Sequence, residues 1–155
     1  MIHDPVERGR RMAAFHRDLA PRLFAQLDET GALAGLDHDR AWSEWECFSL
    51  YACVRGLVAA GGFNRETAAA IDALLEASAP TGEIRQRLSD RFAEYGAIGQ
   101  EGGKSGAATV TRRLGVAAAR HMAFDAAADA TLADLVGQLH ESLAEGAAEA
   151  VRAGG

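Results

Sequence analysis

Four side chains carry the chemistry that stands out in this sequence. Glu44, Tyr51 and Arg55 are spaced by seven and four residues, which places them on one face of a helix. Arg55 lies among apolar residues, and a buried guanidinium needs an anionic partner. His121 falls on an apolar stripe later in the chain. Together they predict a ligand pocket in which Arg55 grips an anion and His121 acts as a ligand or general base.

A structural interpretation of the same residues competes with the pocket. Arg55 would then reach the surface or pair with a carboxylate of another helix. His121 would be a core or boundary histidine with a hydrogen-bond partner. Glu46 points to a different side of its helix and is expected in solvent. The sequence leaves both interpretations open.

The spacing does not support other familiar sites. The sequence contains neither the Glu-x-x-His pairs of di-iron bundles nor a His-x-x-x-His zinc motif, so we expect no metal and no cofactor. Only three residues separate Gly99 from Gly103, whereas a phosphate-binding loop needs four at that point. This stretch predicts a helix-joining loop, with weak anion binding left open. Cys47 and Cys53 face different ways and are expected to be buried free thiols.

Two further sets of residues are candidates for an interface. Trp42 and Trp45 would anchor a partner or, alternatively, belong to the core. Glu141, Glu145 and Glu149 are four residues apart and form an acidic row. Either this row is solvated, or it meets arginines of the first helix or of a second subunit.

Helices must position all of these residues, because no segment shows the alternation typical of a strand. Residues 39–62 hold both tryptophans and both cysteines and are apolar on nearly every side, which predicts a buried helix at about 39–60. We therefore predict an all-α fold, a single-domain bundle (1–155) of five or six helices around that central helix.

The ends of these helices follow from capping residues and prolines. Asp4 caps the first helix, and Pro21 predicts a kink or a break just before it. The central helix begins at Asp37, Asp39 or Ser43. Arginines 87 and 91 of the fourth helix are expected in solvent, beside acidic neighbours. Residues 99–106 are expected to be flexible, and residues 125–130 to be a short join.

Composition narrows the function. With 155 residues and a formal net charge of −6, the chain lacks the basic surface that nucleic acids require. The longest apolar stretch is too short to cross a membrane, and the absence of a signal sequence predicts a cytoplasmic protein. The bias towards alanine, arginine and glycine suggests a bacterial source.

Our leading hypothesis is a non-catalytic protein-interaction or self-association module that forms a homodimer or binds a protein partner. The alternative is a small-molecule-binding bundle, with or without catalysis, around Arg55 and His121.

Overall fold

The chain folds into an all-α bundle in this computed structural model. The structure describes residues 4–79, 81–102, 106–123 and 130–154, and within them it contains six α-helices and no β-strand. The helices are α1 (Pro5–Glu29), α2 (His38–Gly61), α3 (Arg65–Ser78), α4 (Gly82–Gly102), α5 (Ala107–Met122) and α6 (Ala130–Arg152). The predicted fold class, an all-α bundle of five or six helices, is confirmed.

Helix α1 begins where the sequence predicts but is not divided. The carboxylate of Asp4 caps its first turn, accepting a backbone hydrogen bond at 3.0 Å. The helix continues through Pro21 to Glu29, so the predicted break does not occur. Pro21 removes one helical hydrogen bond. Tertiary packing holds this segment instead, because the buried Ala20 carbonyl accepts the indole N–H of Trp45 at 2.9 Å.

Helix α2 lies at the centre of the bundle. Its N-cap is Asp37, the first of the candidate start positions, whose carboxylate accepts a backbone N–H at 2.9 Å. Gly62 ends the helix with a φ of 81°, a left-handed conformation that favours glycine. The helix contacts each of the other five helices and contributes to both apolar clusters of the core. The predicted buried central helix is therefore confirmed.

Glycines lie where three helix pairs approach closely. A Cβ at Gly9 of α1 would lie 2.2 Å from the carbonyl oxygen of Ala70 in α3. A Cβ at Gly56 of α2 would lie 2.4 Å from the Cβ of Ala147 in α6. A Cβ at Gly115 of α5 would lie 2.3 Å from a backbone oxygen of α6. The missing side chains allow these backbones to pack at short range.

The connection after α4 differs from the prediction. This helix continues to Gly102, so the first part of the 99–106 stretch is helical rather than flexible. A glycine in a helix interior costs only about 1 kcal/mol relative to alanine, so a glycine need not end the helix, and α4 contacts α5. Residues 103–105, Pro80 and most of the predicted 125–130 join lie outside the described residues.

Candidate functional site

A buried ion pair joins α2 to α4. The side chain of Glu44 is 1% exposed and accepts two hydrogen bonds from the guanidinium of Arg91. Nε donates to Oε2 at 2.8 Å and Nη2 donates to Oε1 at 2.9 Å. Arg40 adds a second guanidinium, with its Nε 3.6 Å from Oε1 of the same carboxylate. Two positive groups therefore flank one buried carboxylate, and the Arg91 contact is bidentate.

The protonation of this pair is fixed by its surroundings. Burial alone would raise the pKa of the Glu44 carboxyl, but the hydrogen bonds and charge of Arg91 act in the opposite direction. With the charges of His121 and Arg40 added, the pKa of Glu44 lies below its ordinary value. The hydrogen bond to Glu44 raises the pKa of Arg91. Both groups stay ionised at neutral pH, so the pair holds helices together and is unsuited to proton transfer.

The position of Arg91 corrects the sequence analysis, which places it in solvent. Its side chain is only 19% exposed and turns towards Glu44, whereas Arg87 of the same helix is exposed as expected. The error arises because the partner carboxylate lies 47 residues away and has no signature in the sequence around α4.

His121 belongs to the same group of charges. Its Nε2 lies 2.6 Å from Oε1 and 3.0 Å from Oε2 of Glu94 in α4. Its backbone carbonyl accepts a hydrogen bond from Nε of Arg40 at 3.0 Å. The ring is 16% exposed. This is the boundary position with a hydrogen-bond partner that the structural interpretation predicts.

Arg55 pairs with α6 rather than with a ligand. Its Nη1 donates to Oε2 of Glu141 at 2.9 Å, and the hydroxyl of Thr111 in α5 donates to the same oxygen at 3.1 Å. The two charged side chains are 29% and 30% exposed. The predicted pairing of Arg55 with a carboxylate of another helix is confirmed.

Tyr51 takes part in an aromatic cluster with rings from three helices. Its ring centroid lies 5.1 Å from that of Phe92 and 5.6 Å from that of Tyr95. Deeper in the cluster, the ring of the fully buried His140 stacks on Phe48 at 4.0 Å. One side of the Tyr51 ring therefore packs against other aromatic rings of the bundle.

Burial makes the His140 ring neutral, and its hydrogen-bond partner determines which nitrogen carries the proton. Burial lowers the pKa of this ring to about 3, so the ring is neutral at pH 7. Its Nδ1 lies 3.0 Å from the carbonyl oxygen of Phe48, and a carbonyl only accepts, so Nδ1 carries the proton. Nε2 is then an acceptor, and it has no partner among the described residues. The buried hydroxyl of Tyr95 is likewise unpartnered within them.

The interface candidates separate in the structure. Trp45 is fully buried, which agrees with the core interpretation and removes it from the surface. Trp42 is half-buried, with its ring edge-on to that of Phe24 at 5.2 Å. In the acidic row, Glu145 and Glu149 are exposed, while Glu141 turns inward. A step of four residues advances a helix by about 40° beyond one turn, so this row spirals from the boundary into solvent.

The four predicted ligand-binding residues thus fall into two groups. Glu44 and His121 lie together among the charges between α2, α4 and α5. Tyr51 and Arg55 line an open groove between α2 and α3, with a volume of about 720 Å³. The groove is mostly apolar, and its lining contains no aspartate or glutamate. Its aliphatic part comes from Val54, Val58, Ala68 and Ile71.

Phe63 also lines this groove, and its side chain is 94% exposed. The turn that carries it is ordered by hydrogen bonds. The Asn64 side chain accepts the backbone N–H of Thr67 at 2.8 Å and donates to the carbonyl of Gly61 at 2.7 Å. Together with the left-handed Gly62, these bonds fix the backbone on both sides of the exposed ring. Sequence reasoning did not identify Phe63, because a single aromatic residue in a turn gives no sign of its exposure.

Sequence reasoning also missed the histidine of α1. His16 is buried, and its Nε2 lies 2.9 Å from the hydroxyl oxygen of Ser49, which in turn donates to the Glu46 carbonyl at 3.2 Å. Burial lowers the pKa of His16 to about 4, so the ring is neutral at pH 7. A serine beside a neutral histidine resembles a nucleophile with its base. Ser49 is fully buried, however, so the pair serves to join α1 to α2.

His16 faces a second concavity, of about 210 Å³, between α1, α2 and the α3–α4 corner. Glu46 lines it and is half-buried, not solvated as expected, and burial raises the pKa of its carboxyl. Cys47 lines it too, and burial raises the pKa of this thiol to about 12, so it stays protonated. Both cysteines are free and buried, as predicted.

Within the described part of the chain, no three histidine, cysteine or acidic side chains group as a metal site requires. None of the described helices combines the length and apolar character needed to cross a bilayer. Comparisons with protein-family models, with curated proteins and with solved structures found no match to this chain.

Proposed function

We propose that this protein is a self-association module whose two copies meet at the α2–α3 groove and at Phe63 beside it. The observation that carries this proposal is the 94% exposure of Phe63 in an ordered turn. Leaving such a side chain in water forgoes about 2 kcal/mol of burial free energy. A partner that covers the ring would recover this free energy.

The residue types around the groove support an interface. Aromatic residues and arginine are enriched where protein partners bind, and this surface carries Phe63, Tyr51 and Arg55. The guanidinium of Arg55 is already held by Glu141 at 2.9 Å. Little side-chain freedom would therefore be lost when a partner docks there.

Charge favours a second copy of the chain as that partner. Two molecules with a net charge of −6 repel each other, and they do so least through a surface free of acidic side chains. The groove lining contains no such side chain. The same surface also presents both a protruding ring and a concavity. A two-fold dimer needs this self-complementarity, because each Phe63 can then enter the groove of the other copy.

The alternative, a ligand site around Arg55 and His121, has less support. Arg55 and His121 already bond protein carboxylates, those of Glu141 and Glu94 respectively. A bound anion would have to displace that carboxylate, and displacement leaves a partly buried charge without its partner.

Native mass spectrometry and sedimentation of matched variants test the proposal. We expect the wild-type chain to form dimers as its concentration rises, and Phe63→Ser to remain monomeric. At low concentration, where the wild type is also monomeric, the two should have the same melting temperature, because this exposed ring supports no contact within one copy. Val116→Ser is the control, since Val116 of α5 is also exposed, at 44%, but lies outside the groove. It should dimerise like the wild type. A wild-type chain that is monomeric up to about 1 mM, or a dimeric Phe63→Ser variant, would overturn the proposal.

A further inference from the structure

The 210 Å³ cavity beside His16 is built differently from the groove. Its walls come from α1, α2, the last turn of α3 and the start of α4, so residues of four helices line it. Apolar side chains form much of the wall, among them Leu50, Ile84 and Leu88. Its volume equals that of about seven water molecules, which is room for a small organic molecule.

Two opposite charges line this cavity without a hydrogen-bond or ion-pair partner among the described residues. The side chain of Glu46 makes no hydrogen bond or ion pair to any described residue, and neither does that of Arg17, although both line the cavity. Arg87 influences Glu46 only through its charge, and burial still raises the pKa of the carboxyl. A half-buried carboxylate without a hydrogen-bond donor is unfavourable. It is therefore suited to receive a donor from a ligand.

The indole ring of Trp42 forms an aromatic part of the cavity wall. Its indole N–H has no partner among the described residues, whereas the indole of Trp45 is bonded to Ala20. An ammonium group can bind a carboxylate and an indole ring together. The remaining polar groups add no further charge, because His16 is neutral and the Cys47 thiol is protonated at pH 7.

We propose that this cavity binds a small zwitterion with an apolar side chain, of the α-amino acid class. Glu46 would accept the ligand ammonium group, and Arg17 would donate to its carboxylate. Trp42 and the aliphatic wall would hold the side chain. One carboxylate and one guanidinium that do not pair with each other match the two ends of such a ligand. The site is separate from the dimerisation surface, since the two share no lining residue.

The two tryptophans provide the reporter for a binding experiment. The ¹H–¹⁵N spectrum should contain one indole signal for Trp42 and one for Trp45. On titration with L-phenylalanine to about 10 mM, the Trp42 signal should move. The Trp45 signal should stay in place, because this residue is fully buried outside the cavity. Phenethylamine and 3-phenylpropionate, each lacking one charge, should bind roughly tenfold more weakly.

A variant of Glu46 tests whether its carboxylate binds the ammonium group. Glu46→Gln should weaken binding of L-phenylalanine about tenfold and leave that of 3-phenylpropionate unchanged, because only the amino acid carries an ammonium group. Glu149→Gln, an exposed change outside the cavity, should bind like the wild type. An unmoved Trp45 signal in each variant shows that the fold is kept. The proposal is overturned if the Trp42 signal does not respond, if phenethylamine binds as tightly as the amino acid, or if Glu46→Gln has no effect.

Discussion

Two glutamates on α2, two residues apart, have opposite surroundings. Glu44 is 1% exposed and accepts two hydrogen bonds from Arg91, and its pKa is lowered. Glu46 is half-buried and has no hydrogen-bond partner among the described residues, and its pKa is raised. Glu44 is thus a structural residue, whereas the carboxylate of Glu46 is available to bind a ligand. The two differ because only Glu44 has a hydrogen-bond partner within the described part of the bundle.

The same distinction holds for the whole molecule. Arg55 and His121 contact carboxylates on other helices, and those contacts hold the bundle together. Phe63 and the charged groups of the cavity have no such partners among the described residues. We therefore propose that binding takes place where the bundle leaves groups without internal partners, whereas paired groups stabilise the fold.

The largest effect should come from Glu44→Gln. The substitution keeps the shape of the side chain but leaves the guanidinium of Arg91, only 19% exposed, without its counter-charge. Breaking a buried ion pair in this way should lower the free energy of unfolding by about 3 kcal/mol. Urea denaturation of the wild type and the variant measures this difference in the free energy of unfolding.

Glu46→Gln is the matched control, since it makes the same substitution on the same helix. It removes a half-buried charge that has no hydrogen-bond partner among the described residues, so the free energy of unfolding should stay within about 0.5 kcal/mol of the wild type or rise. Equal losses of stability in the two variants would contradict the claim that Glu44 stabilises the fold and Glu46 does not.

Acid should destabilise the protein through its buried histidines. Burial lowers the pKa of His140 to about 3 and that of His16 to about 4, from 6.5. Below pH 6.5 the unfolded chain therefore binds more protons than the folded chain. The free energy of unfolding decreases as the pH is lowered. At pH 5 each histidine should cost about 2 kcal/mol relative to pH 7. Urea denaturation across this pH range gives the slope.

The variant His140→Leu separates the two histidines. It removes one titrating group, so the dependence of stability on pH between 6.5 and 5 should fall to about half its wild-type slope. A variant with the full wild-type slope would show that His140 is not held neutral by burial.

Glu141→Gln should cost much less stability than Glu44→Gln. Its partner Arg55 and the glutamate itself are about 30% exposed, so solvent screens the pair and either side chain can reach water. We expect a loss of about 0.5 to 1 kcal/mol in a thermal or urea melt. A loss as large as that of Glu44→Gln would mean that burial does not separate these two ion pairs.

Local pattern in the sequence is enough to predict the fold class and the central helix. The apolar surroundings of Arg55 also predict its need for a carboxylate, and Cys47 and Cys53 are buried as their positions indicate. These features depend on periodicity within one helix, which is visible in the sequence. The start of α1 follows from its cap in the same way.

The partners of the charged residues could not be predicted, because they come from distant helices. Arg91 and its partner are 47 residues apart, and His140 lies 92 residues from the carbonyl that it bonds. No local pattern encodes such contacts. His16 did have a local signal that the sequence analysis did not use, since it lies four residues after Met12 and four before Ala20, both of which are buried. This spacing places the histidine on the core side of α1.

Isotope-filtered NMR on a mixture of labelled and unlabelled protein tests the central claim most directly, because it detects only contacts between copies. We expect nuclear Overhauser effects from the ring of Phe63 in one copy to the methyl groups of Val58 and Ile71 in the other. Contacts that involve only other surfaces, such as the exposed Val6 or Val116, would contradict the proposed interface, and a spectrum without any contact between copies would contradict self-association itself.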